Sequence, residues 1–256
     1  MTKLAGKKAF CVITGASKGI GKKIATEFSK LFDSQSEIRL IARSLIDLKE
    51  TSNTINSINQ KISTQCIEYD LSDPKFDSFK EFVTPKQGSQ FDIYILVHNA
   101  GTEGNSKWAN EMSDLEEWQQ YMTINVYSMS ILTAAFLQVN TAGHRLIVNI
   151  TSLAAVQPFK SFGYYCVGKT AREMYLRTLA EENKDLDILN YSPGPVGTDM
   201  VDRIIKGIKD EDVKNSFIEM RDSKTLVKVE DTVAKLIDVL GNSKYTSGGR
   251  VDYFDR

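Results

Sequence analysis

Cysteine is scarce in this chain: Cys11, Cys66 and Cys166 are the three present in 256 residues. Their separations match no metal-ligand spacing and three thiols build no disulfide framework, so no metal site is expected and a reducing compartment is. The thiols are expected to pack as small hydrophobes. Net charge is nearly absent too, with a formal value of -1 and a pI near 6.2. Without a basic field, neither nucleic acid nor an anionic membrane is an expected partner, and any anion must be recognised by local groups. No stretch of sequence approaches the ~18 apolar residues of a membrane span. The first apolar run, residues 9–13, is too short for a signal-peptide core. A cytoplasmic location is the expectation from these absences.

What is present is the composition of an ordinary globular protein, 41% hydrophobic and 25% charged, in a length that suits one α/β domain over residues 1–256. Short runs of apolar and β-branched residues recur: AFCVI from Ala9, IRLIA from Ile38, QCIEY from Gln65 and IYILV from Ile93. LIVNI from Leu146, LDILNY from Leu186 and a last short run near Val251 follow. Runs that are apolar nearly throughout suit strands buried on both faces. Helical segments between them predict a doubly wound parallel sheet of about seven strands with helices on both faces.

Over residues 116–140, Trp118, Met122, Val126, Met129 and Leu132 recur at the spacing of a long helix. A second long helix is predicted through Lys169, Ala171, Met174, Tyr175 and Leu179. Either apolar face can pack on the sheet or on a second subunit. Residues 200–225 are charged and helix-prone, and read as an excursion after the sixth strand.

The first strand runs into Gly15, Ala16, Ser17, Lys18, Gly19, Ile20 and Gly21, with a helix predicted to begin near Lys22. Glycines at a strand-to-helix turn let backbone amides approach a dinucleotide pyrophosphate, whose charge the helix N-terminus stabilises. An enzyme that uses NAD has an acid about 20 residues further on, at the end of the second strand, to bond the ribose 2′-hydroxyl. Here that place holds Arg43 and Ser44. A guanidinium with no carboxylate beside it suits a 2′-phosphate, so NADPH is the expected cofactor, and Lys18 would add a second positive charge. Asp70 and Leu71 are placed at the end of the third strand and Asn99 at the end of the fourth, where such sheets bind ligands. Asp70 reads equally well as a turn or cap residue.

Ser152 follows the fifth strand, and Tyr165 and Lys169 open the next helix four residues apart, on one face. A neighbouring ammonium favours a phenolate and brings a tyrosine toward acid–base work. Reduction of a ketone needs such a proton donor, with Ser152 bonding the carbonyl and Lys169 holding the nicotinamide ribose.

Together TGASKGIG, the NAG at 99–101, Asn125, Ser152, the YxxxK at Tyr165 and SPGPV from Ser192 resemble the short-chain dehydrogenases/reductases over nearly the whole chain. The resemblance implies a Rossmann-type fold, catalytic Asn125, Ser152, Tyr165 and Lys169, and an asparagine that supports a water-linked proton path to the lysine; together with the two apolar helix faces, it favours a homodimer. Read without it, Asn125 is a polar residue satisfying or bending its helix. The segments from Asn149 to Met174, LNYSPGPVGTDM and SGGRVDYFD resemble the pterin-reducing members, which use NADPH on pterin side-chain ketones in tetrahydrobiopterin formation. That resemblance implies a small-molecule pterin substrate held by the carboxylate of Asp252, with Leu153 and Gly194 beside it. Val196, Gly197, Thr198, Asp199 and Met200 would border the nicotinamide, although Gly197 stands where an acid is expected. Asp252 alone reads as an exposed terminal aspartate. The competing readings are a reductase for another ketone or diketone, and an NADPH-binding regulator without turnover, against which intact Ser152, Tyr165 and Lys169 argue.

Overall fold

The structure is a computed structural model that describes residues 4–86, 90–242 and 245–255. Seven strands form one sheet: β1 (Ala9–Thr14), β2 (Glu37–Ala42), β3 (Ser63–Glu68), β4 (Ile93–His98), β5 (His144–Ile150), β6 (Leu186–Ser192) and β7 (Arg250–Asp252). Their order is β3-β2-β1-β4-β5-β6-β7, and every pairing is parallel. The order reverses between β1 and β4. Parallel strands need crossovers, and helices supply them.

On one face lie α1 (Gly19–Leu31), α2 (Leu45–Ile58) and α9 (Val229–Asn242), which share a core of Ile13, Ile24, Phe28, Leu40, Val148 and Leu236. The opposite face carries α3 (Phe76–Val83), α5 (Ser128–Val139) and α6 (Gly163–Glu182), packed through Val12, Phe79, Leu96, Leu132, Phe136 and Leu176. Burying each such side chain stabilises by roughly 1.5–3 kcal/mol. Alternate residues of β1 feed the two cores, Ile13 one and Val12 the other, as a period of two requires.

The helix foreseen over 116–140 comprises α4 (Leu115–Met122), one π-turn over Thr123–Tyr127 and α5. Contrary to the reading that no such stretch exists, residues 115–139 are long and apolar enough, by length and composition, to cross a membrane. Met129, Leu132, Ala135 and Phe136 are nevertheless buried against the sheet, and α5 is a core helix. The run from Ile38 is also less apolar than it reads. Arg39 is buried within β2, paired with Glu37 at 2.8 Å and bonded to the Glu81 carbonyl at 2.6 Å, with its guanidinium over the Phe10 ring. The excursion after β6 folds as α7 (Asp199–Gly207) and α8 (Glu211–Asp222), whose sides close over the C-terminal ends of the strands.

Candidate active site

Thr14 ends β1, and the chain turns through Gly15 at φ +67° and Gly19 at φ +54° into α1, which begins three residues before the predicted Lys22. The Asn99 amide donates to the Thr14 and Gly15 carbonyls, both at 3.1 Å, while the Thr14 hydroxyl accepts the Asn99 and Ala100 N–H groups. The turn and the end of β4 are thus bolted together. A Cβ at Gly21 would lie 2.3 Å from the Gly15 carbonyl oxygen, so only glycine fits there. No acid occupies the first turn of α1, and its N-cap, Lys18, makes no side-chain cap. The turn therefore presents backbone N–H groups with no acid in the helix's own first turn to repel a phosphate, and these residues fit a dinucleotide. Ala16 is buried, while Ser17 and Ile20 are partly so.

Lys18 does not stand free. Its ammonium pairs with Asp199 at 2.5 Å, both groups being exposed, and the contact ties the glycine turn to the start of α7. Its positive neighbour holds the Asp199 carboxyl below the usual range. Arg43 follows β2, exposed and with no hydrogen bond or ion pair among the described residues. Ser44 is the N-cap of α2, accepting the Asp47 N–H at 3.3 Å. Asp70 lies two residues beyond the end of β3, and its carboxylate accepts the Ser72 N–H at 2.9 Å, the turn role it could equally have had. Leu71 packs against the core beneath α5.

Ser152 directly precedes a 3-10 turn over Leu153–Ala155, its hydroxyl accepting the Ala154 N–H at 3.2 Å, while Leu153 is exposed. The Ser152 hydroxyl lies near enough to the Tyr165 phenol to lower it. Lys169 is buried, its ammonium 5.5 Å from the centre of the Tyr165 ring and donating to the Ile150 carbonyl at 2.8 Å. The expected lowering of the phenol by Lys169 is not what this geometry produces. Burial raises Tyr165 above its ordinary value, against the nearby Ser152 hydroxyl and the Arg172 charge, which lower it. Burial likewise pushes Lys169 well below the ordinary lysine value, helped by Arg172 and opposed by Glu173. In this form the phenol keeps its proton at neutral pH.

Asn125 sits in the π-turn, buried, with its amide donating to the Tyr121 carbonyl at 2.9 Å and its oxygen accepting the Thr102 N–H at 2.8 Å. The side chain thus meets the loop after β4, and the extra residue in its turn aims it there. The reading of Asn125 as a polar residue that satisfies its helix holds, and its oxygen is taken up by the Thr102 N–H.

Three charged residues were missed in the sequence. Arg172 is fully buried and donates to Asn149, Ala100 and His98 at 3.0, 2.9 and 2.9 Å, with no carboxylate among those acceptors. Burial lowers its guanidinium to about 10, and burial, with that cation beside it, holds His98 well below the ordinary imidazole range. Glu173 accepts from the Thr151 hydroxyl and pairs with Arg250, both at 2.5 Å. Helical spacing was the available signal: residues 165, 169, 172 and 173 share one face.

Gly194, at φ +75°, leaves β6 for the loop that carries Val196, Gly197, Thr198 and Met200. A Cβ there would meet Val227 at 3.1 Å and Phe254 at 3.3 Å. Val196 is buried and bridges to Val227, Gly197 is exposed, and Thr198 is the N-cap of α7 and lies against Gly19. Met200 packs on the cluster of Phe162, Ile204 and Ile208, which Tyr165 also borders. Next to it a cleft of about 230 Å³ is lined by Glu103, Ser106, Phe162, Arg203 and Ile204. Arg203 grips Glu103 through two contacts of 2.6 and 3.1 Å, clamping α7 to the loop after β4. Asp252 closes β7 opposite Ser192, partly buried, with its carboxylate 3.3 Å from Arg250 and accepting the Phe254 N–H at 3.2 Å.

A model of the short chain dehydrogenase family matches residues 9–209. The sepiapterin reductase of Xenopus laevis is 32% identical over 250 residues, covering 96% of this chain and 95% of that protein. A benzil reductase ((S)-benzoin forming) of Bacillus subtilis is 28% identical, covering 94% of this chain and 96% of its own. Among solved structures, a short chain dehydrogenase from Shigella flexneri 2a, complexed with NADP, superposes with a TM-score of 0.80 at 21% identity, over 100% of both chains.

Proposed function

This chain belongs to the short chain dehydrogenase family, and from that premise we propose that it is an NADPH-dependent sepiapterin reductase, acting on the side-chain ketones of pterins. One observation carries the substrate class: the Asp252 carboxylate stands at the same end of the sheet as Ser152 and Tyr165, joined to Ser152 through Arg250. A carboxylate accepts two parallel N–H bonds from a 2-aminopyrimidinone, as a pterin ring presents. NADPH, when bound, supplies the hydride. The glycine turn and the N-terminus of α1 would hold its pyrophosphate and Arg43 its 2′-phosphate.

The residues of this chain do the remainder. Ser152 donates to the ketone oxygen and fixes its direction. Tyr165, kept protonated by burial, gives that oxygen its proton as charge develops. Buried Arg172 favours the phenolate that remains, and Lys169, on the Ile150 carbonyl, stands next in line for a proton. The Lys18–Asp199 and Arg203–Glu103 pairs hold α7 over the cleft and exclude water. The same reading includes a role in tetrahydrobiopterin formation, a homodimer and a cytoplasmic location.

The second reading, a diketone reductase, is favoured by the benzil reductase relative. Asp252 separates the two, because a small diketone has no group that needs a carboxylate. Asp252→Ala should keep NADPH binding and lose kcat/KM for sepiapterin by about 30-fold, the magnitude of a lost charge-assisted pair. Reduction of butane-2,3-dione should change far less. Equal losses on both substrates, or none on sepiapterin, would remove the pterin reading and leave the diketone one.

A further inference from the structure

β7 has three residues, the fewest of any strand in the sheet, and it is an edge strand near the C-terminus. Such a segment frays readily and cannot by its own pairing hold a carboxylate to the accuracy that substrate positioning needs. Arg250 and Asp252 are two residues apart on that strand, so their side chains share one face. The Arg250 guanidinium spans the gap to the catalytic serine. It donates to the Ser152 carbonyl at 2.9 Å, pairs with Glu173 at 2.5 Å and reaches Asp252 at 3.3 Å. Glu173 is itself held by the Thr151 hydroxyl at 2.5 Å.

These contacts close a loop from Thr151 through Glu173 and Arg250 to Asp252, with Ser152 on the same guanidinium. The Arg250 and Asp252 side chains are each only 20% exposed, so solvent replaces few of the bonds. A guanidinium serves several acceptors at fixed angles, whereas an ammonium is a single point of charge on a flexible stem. We propose that Arg250 is a positioning residue that sets the Asp252 carboxylate at a fixed span from Ser152, and thereby selects ketones carried on a heterocycle of pterin length. The inference rests on the reading of Asp252 as the substrate anchor. Arg250 touches no reacting atom; it acts through Ser152, which would bond the ketone oxygen, and Asp252, which would hold the ring.

The test is a double-mutant cycle on Arg250 and Asp252, with sepiapterin and butane-2,3-dione as probes at saturating NADPH. NADPH binding by fluorescence shows that each variant is folded. Arg250→Met should raise KM for sepiapterin by about tenfold, the size expected of a coupled polar network. In the Asp252→Ala background the same change should add less than about threefold. Arg250→Lys, which keeps charge and loses the fork, should fall between wild type and Arg250→Met, and in each variant KM for butane-2,3-dione should rise by much less than that for sepiapterin. Equal effects of Arg250→Met in both backgrounds, or none in either, would overturn the proposal while a selective Asp252→Ala loss left the anchor standing. An Asp252→Ala protein indifferent to sepiapterin would remove the anchor itself, and the proposal with it. If Arg250→Met does not fold, Arg250→Lys decides the matter, and its failure to raise KM for sepiapterin selectively would overturn the proposal.

Discussion

In the proposed reaction the Tyr165 hydroxyl gives the proton, and its surroundings make two predictions. Removing it in Tyr165→Phe should lower kcat for reduction by about 100-fold or more, the range of a lost general acid, while the Kd for NADPH stays within about twofold. Retained turnover would mean that another group donates the proton. Burial raises the phenol above its ordinary value, and the donor must be protonated to act. Reduction should therefore hold level through neutral pH and decline only as pH rises beyond about 10. A decline in kcat/KM centred near neutrality would contradict a buried, protonated phenol. Arg43, exposed and without a partner among the described residues, is the residue proposed to carry the cofactor preference. Arg43→Asp should raise KM for NADPH about tenfold or more and improve NADH relative to it, since repulsion replaces a charge-assisted pair. An unchanged ratio would remove Arg43 from the cofactor site. Tyr165, Lys169 and Ser152 were singled out by their types and spacing, and the fold brings them together. Arg172 and Arg250 were not singled out, because an arginine in sequence reads as solvated surface. Only the fold shows Arg172 buried among carbonyls and Arg250 beside Ser152.

Among the elements, the glycine turn is the most constrained. A methyl at Gly21 would lie 2.3 Å from the Gly15 oxygen and 2.5 Å from the Asn99 amide, and neither can retreat without breaking the link between β1 and β4. Gly21→Ala should cost about 1–3 kcal/mol of stability, as overpacking does, read as a lower Tm, together with weakened NADPH binding. A variant with unchanged Tm and affinity would show the turn to be looser than described. Strands β1, β4, β5 and β6 were legible because both faces of each are buried and their runs are apolar. β3 was placed less well: its exposed edge position leaves it polar, and Asp70 falls beyond its end in a turn. The π-turn at Asn125 was invisible because hydrophobic spacing tolerates one extra residue, whereas its cause is a side-chain bond to the Tyr121 carbonyl.

For the whole molecule, alternating strands and helices foretold a parallel sheet with both faces covered, and the described chain forms one. The strand order, and the gathering of Gly15, Asn99, Ser152 and Gly194 at the strand ends, follow from crossover geometry once the elements exist. Assembly is a separate matter. Tyr127, on the π-turn, and Val167 and Met174, on α6, are apolar and exposed, as a pairing surface between two copies requires. Light scattering should give a dimer that Met174→Glu weakens, and a monomeric wild-type protein would contradict the homodimer reading.

The central claim is that a pterin side-chain ketone is reduced by NADPH in preference to a simple diketone. It is tested most directly by kcat/KM of the purified wild-type protein for sepiapterin, benzil and butane-2,3-dione, each followed by NADPH oxidation. If the Asp252 carboxylate holds the substrate, sepiapterin should exceed both diketones by about tenfold or more, the worth of a charge-assisted hydrogen-bonded pair. Preference for benzil, or NADPH oxidation by the diketones with none by sepiapterin, would contradict it.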